Sequence, residues 1–258
     1  MTEYEPRLIG FLCNCCGYAV ADLAGISRIQ YPPNIRFLRV MCCRRVDPSM
    51  LLGAFSEGID GVMITTCSLG GCNYIRNHGE VETKYIFTRK LMEKAGFEPE
   101  RLALEYIFAS EGHKFAEQVD SFIDKVRGLG RSPVSGDSPD PGLLLNLRAA
   151  KAAAENYRLR ALVGKEEKLV TEGNVYGEEM TQEELDMIIE EAVETEFTRN
   201  KIRLILSVKP MSVKGLSAET GIDSRFVLDH VVALRQRGWV DLYGVQGSSP
   251  VYRAMEVQ

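Results

Sequence analysis

The chain has 258 residues, a formal net charge of −5 and 45% hydrophobic residues, which is typical of a globular protein of one large or two to three small domains. Its apolar segments are short and interrupted, so we expect no membrane-spanning helix. The first ten residues, MTEYEPRLIG, begin with acidic residues and have no long apolar core. We therefore expect no signal peptide and a cytoplasmic location.

All seven cysteines lie in the first 72 residues, and the following 186 residues have none. Cysteines that served only as small core side chains would be spread along the chain. Thiols stay reduced in the cytosol, so such a concentration favours metal ligands or redox groups over a disulfide framework. The seven are Cys13, Cys15, Cys16, Cys42, Cys43, Cys67 and Cys72.

Short apolar runs alternate with amphipathic patterns in the first 130 residues. The runs predict four strands, at residues 8–12, 35–41, 61–66 and 102–108, and the patterns predict helices at 50–58, 82–96 and 113–130. Alternating strands and helices are typical of a parallel sheet with right-handed crossovers. We therefore predict an α/β fold, a flavodoxin-like parallel sheet with flanking helices.

Three groups of cysteines follow three of the predicted strands. Carboxyl ends of parallel strands share one edge of a sheet, where ligands also bind, so we expect one thiolate cluster there. Soft thiolates suit an iron–sulfur cluster or zinc. Only Cys13 and Cys16 have the Cys-x2-Cys spacing of a zinc knuckle, which favours iron–sulfur and leaves zinc as the alternative. His78 and His113 have no ligand spacing to a cysteine pair.

Four separated motifs resemble a known family in the same order along the chain. They are C-N-x-C at 13–16, QYPPNIRFLRVMC at 30–42, GIDGVMITTC at 58–67 with GGCNYIRNHG after it, and RLALEYIFASEGHKFAEQV at 101–119. Over about residues 6–130 the chain resembles the delta subunit of the methyl-viologen-reducing hydrogenase. The resemblance implies a [2Fe-2S] cluster. It also implies electron relay between a hydrogenase, formate dehydrogenase or other dehydrogenase and the FAD-carrying subunit of a heterodisulfide reductase-like complex.

The same resemblance assigns the site residues. The family cysteines fall on five residues for four ligand positions: Cys13, Cys16, Cys42, Cys67 and Cys72. The last three are expected as ligands, and the choice between the first two stays open. Two further thiols, at 15 and 43, depart from the family pattern, and we expect them to be neighbours of the cluster that tune its potential rather than ligands.

The rest of the chain has a different composition. Residues 131–142 are rich in Pro, Gly, Ser and Asp and predict a linker. An Ala-rich helix is predicted at 143–163, and a capping box at Thr181 and Glu184 predicts a second, acidic helix to about Val193. We therefore predict an iron–sulfur domain at 1–130, the linker, a helical segment at 143–198 and a last domain at 199–258.

Residues 199–258 have the pattern of a winged-helix-like module, with three helices followed by a hairpin. They carry 9 basic and 5 acidic residues, too weak an excess for a convincing DNA-binding surface, so we expect a protein-docking role. No glycine-rich nucleotide loop follows the first strand, and we expect no catalytic site. The chain is thus predicted to be an electron-transfer subunit. The alternative is a redox-sensing winged-helix transcriptional regulator.

Overall fold

The computed structural model describes residues 4–68, 71–72, 79–136, 138–165, 169, 172 and 181–255. The larger sheet has four parallel strands in the order β2-β1-β3-β4. Each predicted strand is confirmed, with ends that differ by at most one residue. The strands are β1 (Leu8–Cys13), β2 (Ile35–Val40), β3 (Gly61–Cys67) and β4 (Leu102–Ile107).

Helices cover both faces of this sheet, which explains why its central strands read as nearly continuous apolar runs. All seven residues of β3 are buried. Right-handed crossovers put the first helix on one face and the next two on the other, and the fourth packs beside the first. The sequence patterns predicted the last three of these four helices and did not predict the first. The helices are α1 (Gly17–Ile26), α2 (Pro48–Ser56), α3 (Gly79–Ala95) and α4 (Gly112–Leu129).

Three more helices follow: α5 (Pro141–Ala154), α6 (Tyr157–Val163) and α7 (Gln182–Val208). The single helix predicted at 143–163 is two helices, because the Asn156 side chain accepts the Arg158 N–H and starts α6. The capping box of Thr181 and Glu184 is confirmed. The helix that it starts does not end near Val193, since no glycine or proline interrupts the chain before residue 208.

These helices share the core of the sheet domain. Leu147 and Ala150 of α5, and Leu185 and Ile189 of α7, are buried in one apolar cluster with the strands, and α5 packs on α2 and α3. The described part of the predicted linker also lies against the first domain, where Val134 is buried. Residues after 130 therefore extend the first core.

A second, smaller core belongs to the C-terminal region. The last residues of α7 pack there with α8 (Val213–Thr220), α9 (Ser224–Gln236) and an antiparallel sheet in the order β5-β7-β6. The strands are β5 (Met211–Ser212), β6 (Val240–Gln246) and β7 (Ser249–Ala254). Ser212 and Asp223 cap the two helices, as their residue types favour. The predicted helices and hairpin are present, and β5 was not predicted.

Helix α7 contributes side chains to both cores, so the predicted boundary between residues 198 and 199 falls inside one continuous helix. Within the described ranges, no helix combines the length and apolar character needed to cross a lipid bilayer.

Candidate functional site

The cysteines come together at the carboxyl edge of the parallel sheet, as the strand pattern predicted. Cys13 is the last residue of β1, and Cys67 is the last residue of the neighbouring β3. Cys42 and Cys43 follow β2 directly, where the chain turns into a short 3-10 helix. All seven cysteines are free thiols.

The central pair of the site is Cys13 and Cys67. Their sulfur atoms are 3.4 Å apart, and both residues are almost fully buried. Cys16, in the turn after β1, is also buried, and its Sγ lies 3.5 Å from the carbonyl oxygen of Gly71. The ends of two neighbouring strands therefore bring two sulfurs into contact, with a third buried cysteine beside them in sequence.

The sulfur of Cys13 is the strongest acceptor among these groups. Hydrogen bonds from the thiols of Cys43 and Cys67, and then from the backbone N–H of Gly17, hold the pKa of Cys13 far below its usual range. The Gly17 nitrogen lies 3.2 Å from this sulfur, at the first residue of α1. The same hydrogen bonds to Cys13, together with burial, raise the pKa of Cys43 and of Cys67. The Cys67 sulfur and the Gly17 N–H thus both face the Cys13 sulfur.

The other predicted ligands lie at the margin of the cluster. Cys42 and Cys72 are half-buried. Burial first, and the charges of neighbouring cysteines after it, raise the pKa of Cys16 and of Cys42. Cys72 acts electrostatically on both of those thiols. Each of the five predicted ligands therefore interacts with at least two of the others.

The two cysteines outside the family pattern, at positions 15 and 43, differ in burial. Cys15 is half-buried, whereas Cys43 is 1% exposed and its Sγ lies 3.3 Å from the carbonyl oxygen of Thr65. Of the two histidines set aside as ligands, His113 is exposed in the first turn of α4. His78 lies outside the described residues.

The donor set fits a thiophilic metal group. Sulfur donors from three strand ends converge, and backbone N–H groups approach one of them. Within the parts of the chain that the structure describes, no three Cys, His, Asp or Glu side chains already stand in a metal-binding arrangement. The two half-buried thiols would have to turn toward the buried ones to complete a set of ligands.

Two features of the site were missed by sequence reasoning. Helix α1 supplies the N–H of Gly17, and an added Cβ at this glycine would be 2.8 Å from the Thr65 carbonyl oxygen. The glycine directly after the cysteines in FLCNCCGYAV was the available signal. Arg39 of β2 lies over the ring of Tyr18 and donates to the Asn14 side chain at 2.6 Å. No pattern in the sequence pointed to that contact.

Comparisons with known proteins match the first half of the chain. The family described as methyl-viologen-reducing hydrogenase, delta subunit, matches residues 8–130. The iron-sulfur subunit of the vhc F420-non-reducing hydrogenase of Methanococcus voltae is 42% identical over 128 residues, which are 50% of this chain and 89% of that protein. The iron-sulfur subunit of an F420-non-reducing hydrogenase of Archaeoglobus profundus is 41% identical over 128 residues, 50% of this chain and 93% of that protein.

A larger protein carries a similar segment. It is a subunit of the ferredoxin/F(420)H(2)-dependent CoB-CoM heterodisulfide reductase of Methanosarcina acetivorans, and it is 38% identical over 125 residues, 48% of this chain but 16% of that protein. The cysteine-bearing sheet domain thus occurs both as a small subunit and as part of a longer one. This chain belongs to the methyl-viologen-reducing hydrogenase delta-subunit family.

Proposed function

We propose that the chain is an electron-transfer subunit that holds one [2Fe-2S] cluster at the carboxyl edge of its parallel sheet. The observation that carries this proposal is the 3.4 Å contact of the Cys13 and Cys67 sulfurs at an edge that also carries the other cysteines, in a family whose relatives include proteins named as iron–sulfur subunits. An all-sulfur donor set with nearby N–H groups favours an iron–sulfur cluster over magnesium or calcium, which bind oxygen.

Four ligands are needed, and we propose Cys42, Cys67 and Cys72 with Cys13 as the fourth. The 3.4 Å separation of the Cys13 and Cys67 sulfurs and the Gly17 N–H, 3.2 Å from the Cys13 sulfur, support this choice. Cys16 is the alternative fourth ligand. Its Sγ lies 3.5 Å from the carbonyl oxygen of Gly71, a neighbour that suits a thiol better than a thiolate, and this makes it the weaker candidate.

When bound, a [2Fe-2S] cluster supplies one-electron transfer. The chain's own residues bind it through thiolates, donate an N–H from Gly17 to a ligand sulfur, and keep water from the buried side of the site. Met41 and Phe108 follow β2 and β4 and are exposed beside the cysteines, so an apolar partner surface can approach this edge. FAD is expected on a partner subunit and not on this chain.

The partners that we propose are oxidoreductase subunits. A hydrogenase, formate dehydrogenase or other dehydrogenase would be on one side of the relay, and a heterodisulfide reductase-like flavin subunit on the other. Relatives named as subunits of a hydrogenase and of a heterodisulfide reductase support this pairing. Seven cysteines without a disulfide support a reducing, cytoplasmic location.

For the C-terminal region we propose a winged-helix-like fold with a docking role. The exposed side of α9 carries the apolar side chains of Phe226, Leu228 and Val232, together with Asp229. These groups suit a protein surface better than a phosphate backbone. The division at 1–130, 131–142, 143–198 and 199–258 remains our proposal for the domains, although α7 crosses its last boundary.

The regulator is the second candidate function, favoured only by the three helices and hairpin of the C-terminal region. Electrophoretic mobility-shift measurements with genomic fragments at physiological salt distinguish a regulator from an electron-transfer subunit. The electron-transfer proposal predicts no sequence-specific retardation. Tight binding to one defined DNA sequence would support the regulator instead.

The proposed cluster is tested by anaerobic purification followed by iron, sulfide and zinc analysis. We expect about two irons and two acid-labile sulfides per chain. A Cys13→Ser variant should lose them, and a Cys16→Ser variant should retain them. Zinc without iron in the wild-type chain would overturn the proposal, and the reverse result for the two variants would make Cys16 the ligand.

A further inference from the structure

Three arginines lie on one side of the edge that carries the cysteines. Arg39 is the penultimate residue of β2, and Arg44 and Arg45 follow Cys43 in the short 3-10 helix. All three side chains are exposed. Strand β2 is the outermost strand of the sheet here, and we call the surface of Arg39, Met41, Arg44 and Arg45 the β2 side of the cysteine edge.

The Arg39 side chain is fixed beside the first cysteine group. Its Nε donates to the Oδ1 of Asn14 at 2.6 Å, and its guanidinium group lies over the ring of Tyr18, 4.5 Å from the ring centre. Asn14 stands between Cys13 and Cys15 in the chain. Among the residues that the structure describes, no carboxylate forms an ion pair with Arg39. Its positive charge is therefore held beside the cysteine turn and is available to an outside partner.

The basic groups of the β2 side outnumber the acidic groups next to them. Arg45 is exposed and forms no ion pair with any carboxylate in the described ranges. Arg44 and Lys84 both pair with a single carboxylate, that of Glu80, and the Lys84 ammonium also donates to the Arg44 carbonyl oxygen. The β2 side thus carries an excess of positive charge.

The other charges near this edge are balanced or negative. Asp47, which caps α2, is paired with Arg160. After β4, Glu111 is paired with Lys114, and the first turn of α3 adds the exposed carboxylate of Glu82. The positive excess at the edge, among these described charges, is therefore on the β2 side.

Exposed charges of one sign attract a partner surface of the opposite sign before contact and orient it. Met41 is exposed among the arginines and offers an apolar contact once the surfaces meet. We propose that the β2 side of the cysteine edge is the surface through which the cluster exchanges electrons, and that it takes a partner protein whose docking surface is rich in Asp and Glu. This inference rests on the proposed function.

The experiment measures how fast the reduced full chain, freed of dithionite, is oxidised by two small ions of opposite charge. Hexacyanoferrate(III) is an anion and stands in for an acidic partner surface, and hexaamminecobalt(III) is a cation. Each ion takes one electron from the reduced cluster, and no atom is transferred. In Arg39→Gln and in Arg45→Gln, we expect oxidation by the anion to slow by about threefold and oxidation by the cation to speed up similarly, at an ionic strength of about 0.1 M.

Two controls separate local charge from other effects. Arg28→Gln changes the net charge equally, but beyond the far end of α1, about 15 Å from the start of that helix, where salt screens the charge. Both rates should stay close to those of the wild type. Arg39→Lys keeps the charge without the planar guanidinium group over Tyr18, and it should also keep both rates.

Iron content and reduction potential are measured on every variant. Opposite changes with the two oxidants in Arg39→Gln and Arg45→Gln, absent in Arg28→Gln, support the inference. Unchanged rates, or changes in the same direction with both oxidants, overturn the inference alone, because an altered potential acts alike on both. If Arg39→Gln loses iron, Arg45→Gln decides. A wild-type chain that binds no iron overturns the proposed function and this inference with it.

Discussion

The two ends of the parallel sheet differ in how their buried polar groups are paired. At the amino end, the buried carboxylate of Asp60 accepts the N–H of Arg7 at 2.8 Å and the N–H of Ser132 at 2.7 Å. The fully buried Arg101 donates to the backbone oxygens of Asp60 and Gly130. At the carboxyl end the sulfurs of Cys13 and Cys67 contact each other, and those of Cys16 and Cys43 approach backbone carbonyl oxygens. The amino end thus pairs its buried charges within the fold, whereas the carboxyl end carries the thiols of the proposed site.

The largest expected effect is at the carboxyl end. Replacing Cys67 by Ser should abolish cluster binding, because it removes a proposed ligand whose sulfur lies 3.4 Å from that of Cys13. The metal-free variant should be less stable than the metal-free wild type by about 1 kcal/mol, since Ser is close in size but puts a more polar group at a buried position. Iron content and the visible spectrum measure the first effect, and denaturant titration the second. Cys15→Ser is the matched control and should keep its iron; loss there with retention in Cys67→Ser would reverse the assignment.

At the amino end of the sheet, a substitution should lower stability without abolishing iron binding. Replacing Asp60 by Ala leaves two backbone N–H groups without their acceptor in a nearly fully buried environment. We expect the free energy of unfolding to fall by about 3 kcal/mol, while the folded variant still binds iron. Asp22→Ala, at an exposed position of α1, should change it by less than about 0.5 kcal/mol. Equal stabilities of the two variants would contradict the structural role of Asp60.

A smaller effect is expected at the start of α1. The Cβ of a Gly17→Ala variant would be 2.8 Å from the Thr65 carbonyl oxygen, so the helix must shift away from β3. We expect a loss of about 2 kcal/mol in the free energy of unfolding, and less iron retained during chelation because the N–H to Cys13 moves. In the same helix, Gly25→Ala meets no atom within 4 Å. That control should be neutral or slightly more stable, as alanine favours a helix.

The smallest expected effect concerns Asp47, a carboxylate at the carboxyl end of the sheet that is paired with an arginine. Asp47 caps α2 and forms an ion pair with Arg160 of α6, so it connects the sheet domain to the following helices. Burial raises the pKa of Asp47, but hydrogen bonds from Ser49 and the contact with Arg160 together outweigh it and lower the pKa. A carboxyl pKa below its unfolded value stabilises the fold above about pH 4, and that contribution is lost as pH falls through the folded-state pKa.

The variant Asp47→Asn keeps a capping side chain and removes only the charge. We expect it to be less stable than the wild type by about 0.5 kcal/mol at pH 7, a small value because both partners are partly exposed. The difference should shrink as pH falls through the lowered folded-state pKa of Asp47. Thermal unfolding between pH 3 and pH 7 measures it. The more exposed pair of Asp124 and Arg127 gives the control, Asp124→Asn, with an effect near zero.

The sequence predicted the strands and the meeting of the cysteines because both depend on local patterns. Short apolar runs that alternate with helical segments indicate parallel strands, and parallel strands bring their carboxyl ends to one edge of the sheet. Helix α1 was missed because its short, mostly apolar segment has little amphipathic contrast. The sequence patterns did not predict α7 as one continuous helix. Its buried face changes where the helix passes from one core to the other, which alters the apolar pattern although no helix-breaking residue is present.

Other features depend on contacts between distant residues. The opposite environments of Cys42 and Cys43 follow from a backbone turn that no residue type at those positions requires. The pairing of Asp60 with Ser132 joins residues 72 positions apart. The choice between Cys13 and Cys16 likewise depends on the position of Cys67, which comes from the neighbouring strand.

The central claim is that the thiols at the carboxyl edge hold a [2Fe-2S] cluster used for electron transfer. The most direct measurement is a spin count by electron paramagnetic resonance on the dithionite-reduced chain, made on the same anaerobic sample as the iron analysis. The proposal predicts about one unpaired electron for every two irons, and its loss in Cys67→Ser but not in Cys15→Ser. A wild-type chain with no signal on reduction and with zinc in place of iron would contradict it.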